Sequence, residues 1–252
     1  MNNAPNVPEY GNWVSARRLY ALAAVAIFFL AFSFVFLAAL AGAAVFITVF
    51  GYLAFARYKF SPRGGNLQAQ VRDLVLWHLD WDGRGQALDI GCGNGPLTIG
   101  VAKKFPNARV MGIDYWGGTW GYSQRACERN AEIEAVAERV TFKRASASSI
   151  PFDDGSFDAA VSNLVFHEVG DARDKREVLK EALRVVKKGG AFAFQDLFLL
   201  KRVYGDVDDL LETVRGWGVT SVEFVDTSKA PFPKALRLPF MLGAIGVVHG
   251  RK

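Results

Sequence analysis

From Leu19 through Ala56 the chain carries no charged residue, 38 positions in succession. No other stretch limits the folding choices as strongly. In hydrocarbon every backbone N–H and C=O must be bonded inside the chain, so such a run is helical. One spanning helix needs about 20 apolar residues. The run is too long for one comfortable crossing and just long enough for two short ones. Its middle, residues 38–44, is small and holds Gly42, which suits a tight turn. Arg17 and Arg18 precede the run, and Arg57 and Lys59 follow it. Positive residues at both ends keep both ends in the cytoplasm. The sequence therefore predicts two N-terminal transmembrane helices, a hairpin meeting the lipid bilayer through residues 19–56. Tyr20, Tyr52 and Tyr58 lie near the interfaces. Residues 1–60 form the tail and hairpin, and residues 61–252 form a domain on the cytoplasmic side of the membrane. Other arrangements compete. Ala39-Leu40-Ala41 resembles the cleavage site of a signal peptide, but that reading leaves a second apolar run unexplained. A single tilted helix, or a hairpin that dips in without crossing, also fits the length. A buried soluble hairpin would need helices that are apolar all round.

The hydrophobic fraction of 51% is concentrated in this N-terminal region, so it describes an anchor and not the core. The net charge of +5 comes without runs of like charge. That argues against a nucleic-acid partner and fits a mildly basic domain beside an anionic leaflet. Cys92 and Cys127 are too few for a disulfide framework or a zinc site, and no metal site is apparent.

Residues 61–66 are turn formers, and residues 67–81 have helical periodicity. Strands and helices then alternate. Strand patterns occupy 87–91, 109–114, 140–144, 157–163 and 191–196. Helical patterns occupy 96–105, 119–137, 172–187 and 207–216. Two last strand patterns, 221–226 and 244–249, follow without a helix between them. Repeated βαβ units imply an α/β fold: a Rossmann-like, seven-stranded, mostly parallel sheet with helices on both faces. An antiparallel pair completes it.

The sharpest motif is Leu88-Asp89-Ile90-Gly91-Cys92-Gly93-Asn94-Gly95-Pro96. A buried strand ends in a glycine turn, and a helix starts at Pro96. Ligands of parallel sheets bind at the carboxyl ends of the strands. A dinucleotide fingerprint would put its third glycine at 96, where this chain has Pro, so NAD or flavin chemistry is disfavoured. The spacing resembles motif I of the class I S-adenosylmethionine (SAM)-dependent methyltransferases. That resemblance implies SAM as cofactor, with residues 91–95 (Gly91, Cys92, Gly93, Asn94 and Gly95) carrying its methionine part and Asp89 organising the loop. It makes Asp114, at the tip of the second strand, the acceptor for the ribose hydroxyls, and Tyr115 an adenine wall. After the third strand the family commonly has an acid that bonds the adenine amino group. This chain has Ser146, followed by Ala147, and a hydroxyl bonds adenine without charge. Asn163 ends the fourth strand above the cofactor.

Leu183-Arg184-Val185-Val186-Lys187-Lys188-Gly189-Gly190 also resembles the family run before strand five. There Lys187 and Lys188 suit a helix C-terminus and Gly189 its cap. The resemblance spans residues 67–252 and names no acceptor.

Methyl transfer needs a base only if the acceptor must lose a proton, and His167 is the candidate catalytic residue. A structural role for His167 fits its position equally. The stretch Trp116-Gly117-Gly118-Thr119-Trp120 suits a lid over the acceptor or, equally, tryptophans packed under a loop. In residues 230–242, Phe232, Leu236 and Phe240 suit contact with the bilayer or entry of an apolar substrate, and equally an ordinary strand connection partly buried on the sheet. The expected function is a membrane-anchored SAM-dependent methyltransferase with a lipid-like or membrane-associated acceptor. A soluble small molecule or a protein is the alternative acceptor, and a non-catalytic SAM-binding module the alternative class.

Overall fold

The structure is a computed structural model that describes residues 7–117 and 121–252. The chain divides into two compact units. One is Asn12–Gln70, and the other joins the residues up to Gly11 with Val71–Lys252.

The smaller unit is a helical hairpin of α1 (Ala16–Phe32) and α2 (Ala39–Phe60), followed by the first residues of α3 (Leu67–His78). The uncharged run is shared unequally. The turn falls at residues 33–38 and not at 38–44, and the Ser33 hydroxyl donates to the Leu30 carbonyl (2.6 Å) there. A serine that bonds back to the preceding turn competes with the helical ladder. Gly42 lies inside α2 and serves packing. A Cβ there would stand 2.7 Å from the Phe29 ring, which stacks on Phe46 at 5.5 Å. The open end of the hairpin is tied by polar bonds. Asn12 Nδ2 donates to the Arg57 carbonyl (3.0 Å), the Arg57 guanidinium donates to the Val14 carbonyl, and the Trp13 N–H donates to Gln68 (3.1 Å). The rest of the hairpin is coated with exposed apolar side chains.

Among the described residues only α2, 22 residues long, is long and apolar enough to cross a membrane. The 17 residues of α1 rise roughly 25 Å, short of a hydrocarbon core of about 30 Å. The expectation of two spanning helices is met by length in one helix only.

The larger unit contains β1 (Gly85–Ile90), α4 (Pro96–Lys104), β2 (Ala108–Asp114), α5 (Gln124–Ile133), β3 (Val140–Arg144), β4 (Phe157–Asn163), α6 (Lys175–Arg184), β5 (Val186–Asp196), α7 (Lys201–Tyr204), α8 (Val207–Gly216), β6 (Ser221–Val225) and β7 (Gly246–Arg251). The seven strands lie in the order β3-β2-β1-β4-β5-β7-β6. The first five are parallel, and β7 is antiparallel to both of its neighbours.

Alternate side chains of each strand point to opposite faces. Leu88, Ile90, Ala160, Phe192 and Phe194 enter one core layer, together with Val178, Leu179 and Leu183 of α6 and Leu210 of α8. Ala87, Ala159, Val161, Ala191 and Ala193 enter the other, against Val75 of α3 and Leu97 and Val101 of α4. Large residues on one face and alanines on the other make the two layers unequal. Three helix starts are capped by side chains: Ser123 accepts the Ala126 N–H, Asp174 that of Arg176, and Asp206 that of Asp208.

Several boundaries differ from expectation. α6 ends at Arg184, and Lys187, Lys188 and Gly189 lie within β5. Gly189, at φ 77°, makes an irregular step there, and its N–H donates to the Lys252 carbonyl (2.5 Å). The strand claims these residues because the last strand offers them partners. α5 begins at Gln124, and Thr119 lies outside the described residues. In the connection before β7, Phe232 and Leu236 are buried and so do not meet a bilayer, whereas Phe240 is exposed.

Candidate cofactor and acceptor site

The loop after β1 sits where three glycines permit left-handed backbone: φ is 74° at Gly91, 59° at Gly93 and 82° at Gly95. At Gly91 space is as limiting as conformation. A Cβ there would strike the Val165 side chain at 2.2 Å, so the loop touches the segment that follows β4. The N–H groups of Gly91 and Cys92 both donate to the Ile113 carbonyl of β2, at 2.8 and 3.0 Å. Gly95 caps α4, and Pro96 occupies its first turn.

Beneath the loop lies Asp89, fully buried. One carboxylate oxygen accepts the Thr98 hydroxyl (2.6 Å), and the other has no partner among the described residues. Burial pushes its pKa up to about 7, against the pull of Thr98.

Asp114 is brought to the loop as expected. Its carboxylate accepts the Gly93 N–H (2.8 Å) and the Trp116 N–H (2.7 Å). Burial raises its pKa, and those backbone donors oppose the rise. Each carboxylate oxygen has a second lone pair, so ribose hydroxyls can still be accepted. Tyr115 follows, 61% exposed, with the Arg144 guanidinium 4.9 Å from its ring centre. Cys92 is buried, and burial holds its thiol well above the ordinary range, so it is no nucleophile.

The third element stands beside the second. The Ala145 N–H donates to the Asp114 carbonyl (3.0 Å), which brings the start of this segment to Asp114, with Ala147 buried. Asn163 ends β4, where its side-chain oxygen accepts Gln195 Nε2 of β5 (2.7 Å). Gln195 also bonds the Val71 carbonyl and Thr227.

His167 lies in the short turn after β4. Its Nδ1 meets the buried Asp196 carboxylate at 2.7 Å, and its Nε2 lies 3.5 Å from Glu168. Asp196 also accepts the N–H groups of Phe166 (2.8 Å) and Leu197 (2.6 Å). Burial pulls the imidazole pKa down, but Asp196 and then Glu168 outweigh it and set it at about 9. His167 is therefore an imidazolium at neutral pH, fixed by Asp196.

Sequence reasoning missed Asp196, because an acid at a strand end has no local signature. It also missed a strap at the start of the chain. Asn130 Oδ1 accepts the Glu9 N–H (2.8 Å), and Asn130 Nδ2 donates to the carbonyls of Glu9 (3.1 Å) and Asn94 (2.9 Å). Asn94 of the loop itself donates to the Glu9 carbonyl (3.1 Å) and accepts the Ser123 N–H (3.1 Å). Of the two roles expected for Trp116, packing on a loop is the one found: its indole N–H donates to the Gly93 carbonyl (2.8 Å), which also accepts the Cys127 thiol (3.1 Å). Trp120 lies outside the described residues.

Residues 88–194 match the family described as a methyltransferase domain. A 27-O-demethylrifamycin SV methyltransferase of Amycolatopsis mediterranei is 33% identical over 150 residues, 59% of this chain and 52% of that protein. A demethylmenaquinone methyltransferase of Staphylococcus aureus is 35% identical over 106 residues, 42% of this chain and 40% of that protein. The chain thus spans about half or less of the length of these curated relatives. A geranyl diphosphate C-methyltransferase from Streptomyces coelicolor, solved with Mg2+, geranyl diphosphate and S-adenosyl-L-homocysteine, aligns over 75% of this chain and 80% of its own with a TM-score of 0.54. At 14% identity that likeness shows the fold alone. The left-handed glycine loop, the ribose acid beside it and the partnerless buried oxygen of Asp89 fit the ligand that the family match implies. Residues 88–194 of the larger unit thus match a methyltransferase domain, and S-adenosylmethionine is the cofactor that goes with that match.

Proposed function

We propose that this chain is a membrane-anchored methyltransferase acting on an apolar acceptor held in or at the bilayer, such as a lipid-like molecule, an isoprenoid or a quinone-type ring. The observation that carries the reading is the surface of the hairpin. Phe34 is 94% exposed, Val35 83% and Leu37 75%. Apolar surface of that extent needs a cover, and α2 is long enough to reach through hydrocarbon. An enzyme anchored in this way meets membrane-resident acceptors at high local concentration. The name of the menaquinone relative supports the acceptor class. The rifamycin relative supports a soluble acceptor instead. Arg17, Arg18, Arg57 and Lys59 flank the hairpin and favour the cytoplasmic side for both of its ends. The apolar tip, residues 34–37, favours a hairpin that dips in over one that emerges on the far side.

S-adenosylmethionine supplies a methyl group on a sulfonium, a leaving group already activated. Asp114 and residues 91–95 orient the cofactor, so positioning supplies much of the rate. His167 Nε2 takes the proton of an acceptor that must shed one, and Asp196 holds the ring by Nδ1 and stabilises the imidazolium formed. With a pKa of about 9 only a small fraction of His167 is free base near neutrality. Turnover therefore rises with pH until about 9 and then levels.

The test uses full-length protein, native membranes and SAM labelled on its methyl group, with Asp114→Ala as control. Label in the organic extract that the control abolishes is the expected result. Label confined to the aqueous or protein fraction would discard the apolar acceptor. SAM binding without any transfer, across membranes and soluble extracts, would point to a non-catalytic module.

A further inference from the structure

The adenine side of the site departs from the family at Ser146, and three side chains there form a chain of short contacts. Ser146 Oγ and Ser148 Oγ are 2.7 Å apart, and the Ser148 hydroxyl donates to Asp171 Oδ2 at 2.6 Å. Asp171 Oδ2 also lies 3.4 Å from Ser146 Oγ. Asp171 belongs to the loop between β4 and α6, well away in sequence from the end of β3.

The proton count settles the direction of this chain. Asp171 is ionised, because the Ser148 hydrogen bond holds its carboxyl below the usual range. An ionised carboxylate only accepts, so Ser148 must donate to it. Each hydroxyl has one proton. Ser148 has given its own to Asp171 and can only accept from Ser146. The Ser146 proton is then committed to Ser148. The Ser146 oxygen takes the Ser148 N–H (3.3 Å) on one lone pair and keeps the other for a ligand donor. Aligned donors of this kind strengthen one another.

We infer that Asp171, acting through Ser148, locks the Ser146 hydroxyl as a hydrogen-bond acceptor and thereby makes the site select a purine with a 6-amino group. Asp171 is a positioning residue, and Ser146 meets the adenine. The relay places a negative charge one hydroxyl further from the base than the family's strand-end acid would. The inference rests on the reading of this domain as a SAM site. It explains how a chain without that acid can still tell adenine from a 6-oxo purine, whose oxygen would face an oxygen with no proton to offer.

Full-length protein in detergent micelles, titrated calorimetrically with S-adenosylhomocysteine and with S-inosylhomocysteine, tests it. The unaltered protein should prefer the adenosyl compound about tenfold, the worth of one charge-assisted hydrogen bond at a half-open site. In Asp171→Asn the neutral amide can also donate to Ser148, which frees the relay to reverse and lets Ser146 donate to the 6-oxo group. The preference should then vanish. Asp171→Ala should also reduce it, and Ser146→Asp combined with Asp171→Asn should restore it through a direct carboxylate. If Asp171→Ala weakened both ligands equally and kept the preference, Asp171 would serve only the loop's structure and the inference would be overturned. Equal binding of both ligands by the unaltered protein would overturn it too, while leaving the SAM site intact. Binding of neither would remove the SAM reading and this inference together.

Discussion

The two units use the same apolar residues in opposite ways. In the larger one, Phe166, Phe192, Phe194 and Phe198 have no exposure at all; Phe194 stacks on Phe192 and meets Phe166 edge to face, and Phe198 packs on Tyr204. In the hairpin, Phe28 is 62% exposed, Phe36 57% and Phe34 94%. The first pattern is that of a chain folded against water. The second satisfies its backbone inside helices and leaves its side chains to the surroundings, the arrangement suited to a hydrocarbon solvent. The charges follow the same division. The uncharged run lies wholly in the hairpin, while the larger unit holds its buried polar groups in hydrogen-bonded sets such as Asp196 with His167 and Asn130 with Glu9.

This contrast can be broken by experiment. The largest effect should come from Val45→Arg with Val49→Arg, both at exposed positions of α2. Each charge costs about 2.5–3.5 kcal/mol at mid-membrane, so flotation on vesicles should be lost while SAM binding persists. Flotation of the double variant at the original level would discard the anchor.

Next comes Phe194→Ala, expected to cost about 3–5 kcal/mol in chemical denaturation of the larger unit. Phe34→Ala should leave that transition in place. Equal losses would mean that Phe34 is packed in a core after all.

The hairpin run has no Asp, Glu, His, Lys or Arg, so the pH dependence of stability near neutrality must come from elsewhere. His167 has a folded pKa of about 9, above its ordinary 6.5. Its stabilising contribution is complete below pH 6.5 and lost as pH rises through 9. The size is on the order of 3 kcal/mol. His167→Asn should flatten that slope, and an unchanged slope would show that the Asp196 contact is not an ion pair in solution.

Asp114→Ala should weaken SAM about 10- to 100-fold, as expected for lost charged hydrogen bonds. The smallest effect should be that of Asn130→Ala, a loss of about 1 kcal/mol in stability with a few-fold weaker SAM binding, since it only frees the strap. Binding as tight as in the unaltered protein would show that the strap does not brace the loop.

The residues that read most clearly in the sequence are those whose roles are local. Gly91, Gly93 and Gly95 announce themselves by backbone demands that few other residues meet, and β3, β4 and α8 have the bounds that periodicity predicts. Asp114 follows because strand two must end beside the loop. The misses are partners distant in sequence. Nothing near Asn130 signals Glu9, 121 positions earlier, and nothing near His167 signals Asp196. Gly42 misled for a related reason. A glycine that admits a neighbouring ring looks the same in sequence as one that turns the chain.

The strap has a topological consequence. Glu9 and Asn130 are bonded in one unit, yet the chain between them makes an excursion through the whole hairpin. An excursion that returns to its starting body has even parity in any membrane it enters. With α2 crossing alone, Glu9 and Asn130 would be parted by a bilayer and their paired amide bonds could not exist. A hairpin that anchors this chain would therefore have to go in and come out through one leaflet, whether it turned midway or at the far side. Synthesis adds an order of events. Glu9 leaves the ribosome long before Asn130, so the hairpin is fully made before the strap can close.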